Sequence, residues 1–171
     1  MIIKTFELKK TKLTSYKFFL IYGNNKGLVE EIIENNFKTL FGKNVQSYDE
    51  NDIIQNTENF QNNILNKSFF DNKKLIFISK ISEKILKIIN EIIDKNLDDI
   101  WIILKSSTLE KKSKIRNFFE KDKRVICIPV YEDNFQALDT IAKNFIKENN
   151  INLSQQILNF IIERSRGDRI N

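Results

Sequence analysis

The sequence predicts an α/β protein with a mainly parallel sheet flanked by helices. Two observations lead to that class. Short apolar runs at residues 18–22, 75–78, 100–104 and 125–128 are continuous rather than alternating, the pattern of strands buried on both faces. Between them lie segments of roughly 10–15 residues whose apolar positions recur at helical spacing, the signature of strand–helix alternation. After Pro129 the strand signal ends and only helical periodicity continues.

In order along the chain, Phe18-Phe19-Leu20-Ile21-Tyr22 reads as a buried strand that ends at the turn Gly23-Asn24-Asn25. Leu28, Val29, Ile32, Ile33, Phe37, Leu40 and Phe41 mark a helix stopped by Gly42. Val45 to Tyr48 fits a short second strand. Asp52 is the expected N-cap of one helix carrying Ile53, Ile54, Phe60, Ile64 and Leu65. Leu75-Ile76-Phe77-Ile78 is the next strand, and Ser82 is placed to cap the helix of Ile85, Leu86, Ile88, Ile89, Ile92 and Ile93. Ile100-Trp101-Ile102-Ile103-Leu104 is the most apolar strand. A short basic helix around residues 112–120 follows, then a strand at 125–128 that Pro129 is expected to stop. Cys127 in that strand reads as a small core residue. Phe135, Leu138, Ile141, Ala142, Phe145 and Ile146 form one amphipathic helix. Ser154 is placed to cap another, with Ile157, Leu158, Ile161 and Ile162. The boundary falls near residues 130–135. It separates an α/β domain over 1–132 from the start of a helical domain over 133–171. Two helices are too few for an independent core, so at least a third helix is expected to follow.

Composition removes several function classes. The 171 residues contain no His and one Cys, which excludes His-based acid–base catalysis, Ser-His-Asp triads and an internal disulfide, and argues against zinc. No apolar run approaches the length of a membrane helix and no secretory signal opens the chain. The expectation is therefore a cytoplasmic protein that binds no membrane. Lys plus Arg is 28 and Asp plus Glu 23, a net charge of +5. Residues 105–124 hold eight basic and three acidic side chains, so this one stretch supplies the whole excess. Lys111, Lys112, Lys114 and Arg116 are its candidates for contact with DNA or a partner; a solvated helix face is the plain alternative.

Few residues in the chain point to chemistry. The turn Gly23-Asn24-Asn25-Lys26-Gly27-Leu28-Val29 stands where a phosphate-cradling loop belongs. Its glycines are too close, and Leu28 and Val29 replace the Lys and Ser/Thr that phosphate and magnesium require. A helix start at Lys26-Gly27 leaves room for weak anion binding at most. Ser79-Lys80 follows the third strand, so no Walker B-type acid is present, and the dinucleotide fingerprint is missing. A receiver domain needs acids where Tyr22 and Ser79 stand. Asp49, Glu50 and Asp52 cluster as a metal-dependent nuclease would need, but helix capping explains them more simply. No catalytic residue, cofactor or metal is expected. One unusual pair remains. Phe69-Phe70 lies among polar residues, within Asn66-Lys67-Ser68-Phe69-Phe70-Asp71-Asn72-Lys73-Lys74. It reads either as an exposed anchor for a partner's pocket or as a cap on the edge of the sheet core.

Several of these segments resemble one family in order. Phe19-Leu20-Ile21-Tyr22-Gly23 resembles the opening strand of the delta subunit of the bacterial DNA polymerase III clamp loader. Ser68-Phe69-Phe70-Asp71-Asn72-Lys73-Lys74-Leu75-Ile76 resembles that family's S-L-F-x-x-x-R-hydrophobic segment. Leu109-Glu110-Lys111-Lys112-Ser113-Lys114 resembles its L-D-K-[RK]-[ST]-K run, and Gly167-Asp168 its G-D turn. The resemblance implies an AAA+-like domain without nucleotide machinery, followed by part of a helical lid, with an all-helical collar domain lying beyond. It implies a protein of DNA replication that binds the ring-shaped sliding clamp (the beta subunit) and opens it for loading onto primed DNA. Other clamp-loader subunits, met through the collar, would bind and hydrolyse ATP. By position the clamp-binding wedge is Phe69 and Phe70, flanked by Ser68 and Asp71. Phe69 stands for the family's Leu and Lys74 for its Arg, which loses any bidentate contact of that Arg.

Overall fold

The computed structural model describes residues 1–41, 44–65, 73–95, 97–167 and 169. Five strands, β1 (Phe18–Gly23), β2 (Val45–Asp49), β3 (Lys74–Ser79), β4 (Ile100–Ser106) and β5 (Val125–Val130), form one sheet in the order β2-β3-β4-β1-β5. All four pairings are parallel. Helices connect the strands: α1 (Lys26–Ile32) running through a π-helical turn (Ile33–Lys38) into α2 (Thr39–Phe41), then α3 (Glu50–Gln55), α4 (Thr57–Leu65), α5 (Ile85–Asp94) and α6 (Lys114–Lys121). Two more, α7 (Phe135–Glu148) and α8 (Gln155–Ser165), follow the last strand.

Alternate strand residues feed two separate cores, which is why the runs are apolar throughout. Leu20, Ile76, Ile78, Ile102, Leu104 and Cys127 pack under α3 to α6, against Ile53, Phe60, Ile85, Ile89, Ile115 and Phe119. Phe19, Ile21, Leu75, Phe77, Trp101, Ile103 and Ile128 face the other way, onto Val29, Ile33, Phe37 and Phe41. There Phe19 meets Phe37 edge-on at 4.8 Å and Phe41 stacks on Trp101 at 4.4 Å. Ile3, beside β5, and Leu8 and Leu13, from two 3₁₀ turns (Thr5–Lys10 and Leu13–Ser15), complete this second core; the three-residue period of such turns escapes sequence patterning. The α7–α8 hairpin keeps a small core of its own, Leu138, Leu158 and Ile162. Among the described residues no helix is long and apolar enough to cross a membrane.

Three local expectations are corrected. Pro129 does not stop the strand, which continues to Val130 opposite Gly23. β5 is an edge strand. Cys127 turns both its N–H and C=O outward, to Met1 and Ile3. Pro129, two residues on, faces the same outer side, where its missing N–H costs the ladder nothing. The single helix expected from Asp52 is two, broken at Asn56, and Asp52 sits inside the first turn of α3 rather than at its cap. Ser82 shares its capping task. Its hydroxyl accepts from Lys84 N–H at 3.3 Å, while the buried Glu50 carboxylate accepts from the Ile85 and Ser82 N–H groups at 3.1 and 2.8 Å. The acid cluster thus supplies the start of α5 from a distant helix.

Candidate functional site

In parallel α/β sheets the rim at the carboxyl ends of the strands is where ligands and catalytic groups gather. Here that rim begins with Gly23. A Cβ at this position would lie 1.7 Å from the Val130 carbonyl oxygen, so only glycine allows β1 and β5 to close together. Asn25 follows, with no solvent exposure. Its Oδ1 accepts from Leu28 N–H at 3.0 Å and so caps α1, and its Nδ2 donates to the Asp133 carboxylate at 2.8 Å. Asp133 in turn accepts two bonds from one guanidinium, Arg169 Nε at 2.6 Å and Nη2 at 3.0 Å. Arg169 also pairs with Glu31 on α1. An anion at the start of α1 would compete with Asn25, and with a carboxylate already beside it.

Next to this cluster is an open groove of about 610 Å³, lined among others by Gly23, Lys26, Glu30, Lys80, Lys105 and Ser106. Two of its lysines are paired. Lys105 lies 3.5 Å from Glu30 and Lys80 2.6 Å from Asp49. The groove has a nucleotide site's position without a concentrated positive field.

The basic stretch follows β4 on the same rim. Lys111 and Lys112 are exposed in the loop and Lys114 opens α6, whose N-cap Ser113 accepts from Arg116 N–H at 3.5 Å. Lys112 pairs with Glu110 at 3.0 Å and Lys114 with Glu83 at 3.7 Å. Arg116 turns inward. It bonds Glu120 at 2.7 Å and the Leu109 carbonyl at 3.0 Å, and lies 5.1 Å over the Tyr22 ring. The bond to Glu120 raises its pKa further. Burial pushes the Tyr22 hydroxyl up to about 12, Arg116 opposing the shift. The structure therefore keeps three of the four candidates on an exposed stretch and uses the fourth to brace the end of β1.

Ser68, Phe69, Phe70 and Asp71 lie outside the described residues. The described chain that flanks residues 66–72 is tied down by Lys74. Lys74, buried at the start of β3, donates from Nζ to the Asn63 carbonyl of α4 at 2.6 Å and from its backbone N–H to Asp99 at 2.8 Å. A cation on the last carbonyls of a helix compensates the helix dipole, so Lys74 ties α4 to the sheet. This attachment is at the amino ends of β3 and β4. The described residues that flank 66–72 thus lie at the opposite end of the sheet from the basic stretch. Asn25, Asp133 and Arg169 escaped sequence reasoning, since nothing in the chain's periodicity links an N-cap to residues more than a hundred positions away.

No protein-family model matches the chain, and no curated protein sequence matches it. Solved structures do. The Bacillus subtilis DNA clamp loader delta protein (YqeN) superposes with a TM-score of 0.59 at 13% identity, over 91% of this chain and 50% of that one. The replication initiator DnaA bound to AMPPCP and single-stranded DNA gives 0.59 at 18% identity, over 94% and 54%. A point mutant of Thermotoga maritima RuvB gives 0.54 at 18%, over 96% and 55%. The chain spans about half the length of each of these proteins. At such identities the likeness establishes the fold alone, an α/β domain of AAA+-like architecture with a parallel sheet flanked by helices.

Proposed function

We propose that this chain is a clamp-loader subunit of the delta type, which binds the sliding clamp through Phe69 and Phe70 and opens the ring without hydrolysing ATP itself. The observation that carries the reading is the loop after β1. An AAA+-like fold here lacks the phosphate-binding residues, and Asn25, Asp133 and Arg169 occupy the start of α1 instead. Such a domain serves as an adaptor whose partner subunits supply ATP hydrolysis. On this reading residues 1–132 are the AAA+-like domain, 133–171 begin the lid, and the protein works in the cytoplasm beside DNA.

The mechanism is differential binding. A wedge that fits the clamp better when its subunit interface is sprung shifts the closed–open equilibrium toward open, by no more than its difference in affinity for the two states. Each buried phenylalanine contributes about 1.5–3 kcal/mol, enough for two to dominate a small interface. Replacing both Phe69 and Phe70 by Ala is expected to abolish clamp binding in calorimetry and to leave the thermal midpoint nearly unchanged. A large fall in the midpoint would return the pair to the core and remove the wedge.

DNA contact through Lys111, Lys112, Lys114 and Arg116 is a second reading, resting on the concentration of charge in this stretch. The acid partners of Lys112, Lys114 and Arg116 weaken it. It predicts DNA affinity that falls steeply with salt and drops when the four are neutralised; affinity unmoved by that change would end it.

A further inference from the structure

The α7–α8 hairpin has an apolar core separate from the two cores of the sheet. Units joined in this way move relative to each other unless something fixes them. We infer that Arg169 and Asp133 form an internal latch that sets the orientation of the α7–α8 hairpin on the sheet domain.

The two residues bracket the hairpin. Asp133 immediately precedes Asn134, the N-cap of α7, and Arg169 follows the end of α8. The return path is built for the meeting. Arg166 adopts a left-handed conformation (φ 50°) and Gly167 a φ of 81°, so the chain reverses just after α8. The Gly167 carbonyl accepts from Asp133 N–H at 3.1 Å. A Cβ on Gly167 would come within 3.0 Å of Glu132 Cβ. Entry and exit of the hairpin are thereby clipped together.

The same pair reaches the sheet domain. Asp133 accepts from buried Asn25, and Arg169 pairs with Glu31 near the far end of α1. A guanidinium bonded to one carboxylate at two points fixes direction as well as distance. The side chains of Asp133 and Arg169 are mostly shielded, 10% and 21% exposed, so water and salt screen the contact less than a surface pair. Movement of α1 would pass directly to the hairpin, and movement of the hairpin to the loop after β1.

The test uses the whole chain with spin labels at Lys95→Cys, beside α5, and Lys147→Cys, on α7; Cys127 is buried and stays unlabelled. The parent should give one narrow distance. Arg169→Gln and Asp133→Asn should each replace it with a broad distribution, and the double variant should be no broader than either single one, because both remove the same contact. Trp101 fluorescence checks that the sheet is intact. Should Arg169→Gln unfold the sheet, Glu31→Gln takes its place, since it keeps the Asp133–Asn25 bond and removes one arm of the latch. A distribution unchanged by the substitutions, or effects of the two that add, would overturn the latch.

Discussion

Gly23 is set by its neighbour rather than by its own preferences. With the Val130 carbonyl 1.7 Å from where a Cβ would stand, Gly23→Ala must push β5 away from β1, at a cost of about 3 kcal/mol or more. Urea denaturation should show it as a lower midpoint with the slope unchanged. Cys127 sits two strand residues from Val125 in the same core, and its thiol is pushed up to about 12 chiefly by burial. It should resist a thiol reagent at pH 8 in the folded protein and react at once in denaturant; fast reaction of the folded chain would contradict the packing. At this scale the sequence was readable where a residue's role is local. Cys127 in an apolar run reads as core. Asn25 in a polar turn does not read as buried, because Asp133 and Arg169, which bury and satisfy it, are contributed by the far end of the chain.

At the scale of elements, the strands and the long helices were legible because burial imposes period on them, and the departures have physical causes. Pro129 remains in β5 because it faces the outer edge, a fact of sheet order and not of local sequence. Glu50 illustrates the same limit. Its carboxylate, only 4% exposed, caps α5 from across the fold, so the acid trio looked like a cluster when its most buried member, at the start of α3, serves another helix. Removing it in Glu50→Ala leaves the N–H groups of Ile85 and Ser82 unsatisfied. The expected loss is about 2 kcal/mol, and Glu50→Gln, which keeps one acceptor oxygen, should lose less. Equal thermal midpoints for the alanine variant and the parent would show that α5 does not depend on this cap.

For the whole molecule, two buried acids give a pH dependence of defined sign. Cys127 and Tyr22 are neutral when protonated and are held so to about 12, against ordinary values of 9.0 and 10.0. Between those limits the unfolded chain has lost protons that the folded chain keeps. The stabilisation is complete below pH 9 and is lost as the pH rises from 9 toward 12. The urea midpoint should therefore fall steadily across that range; a constant or rising midpoint would contradict it. The parallel α/β architecture was recoverable from sequence because it follows from continuous apolar strands alternating with helical segments. The wedge is a proposal that rests on resemblance alone, since two phenylalanines among polar residues fit an anchor and a core cap equally well. On the proposed function, the wedge prefers the opened clamp. This preference is tested most directly by calorimetric titration of the chain into the intact ring and into a clamp protomer whose ring interface has been broken by mutation. Tighter binding to the protomer is expected, lost in both cases when Phe69 and Phe70 are Ala; equal affinity for ring and protomer would mean that binding does no work in opening, and absence of binding by the folded chain would rule out the adaptor itself.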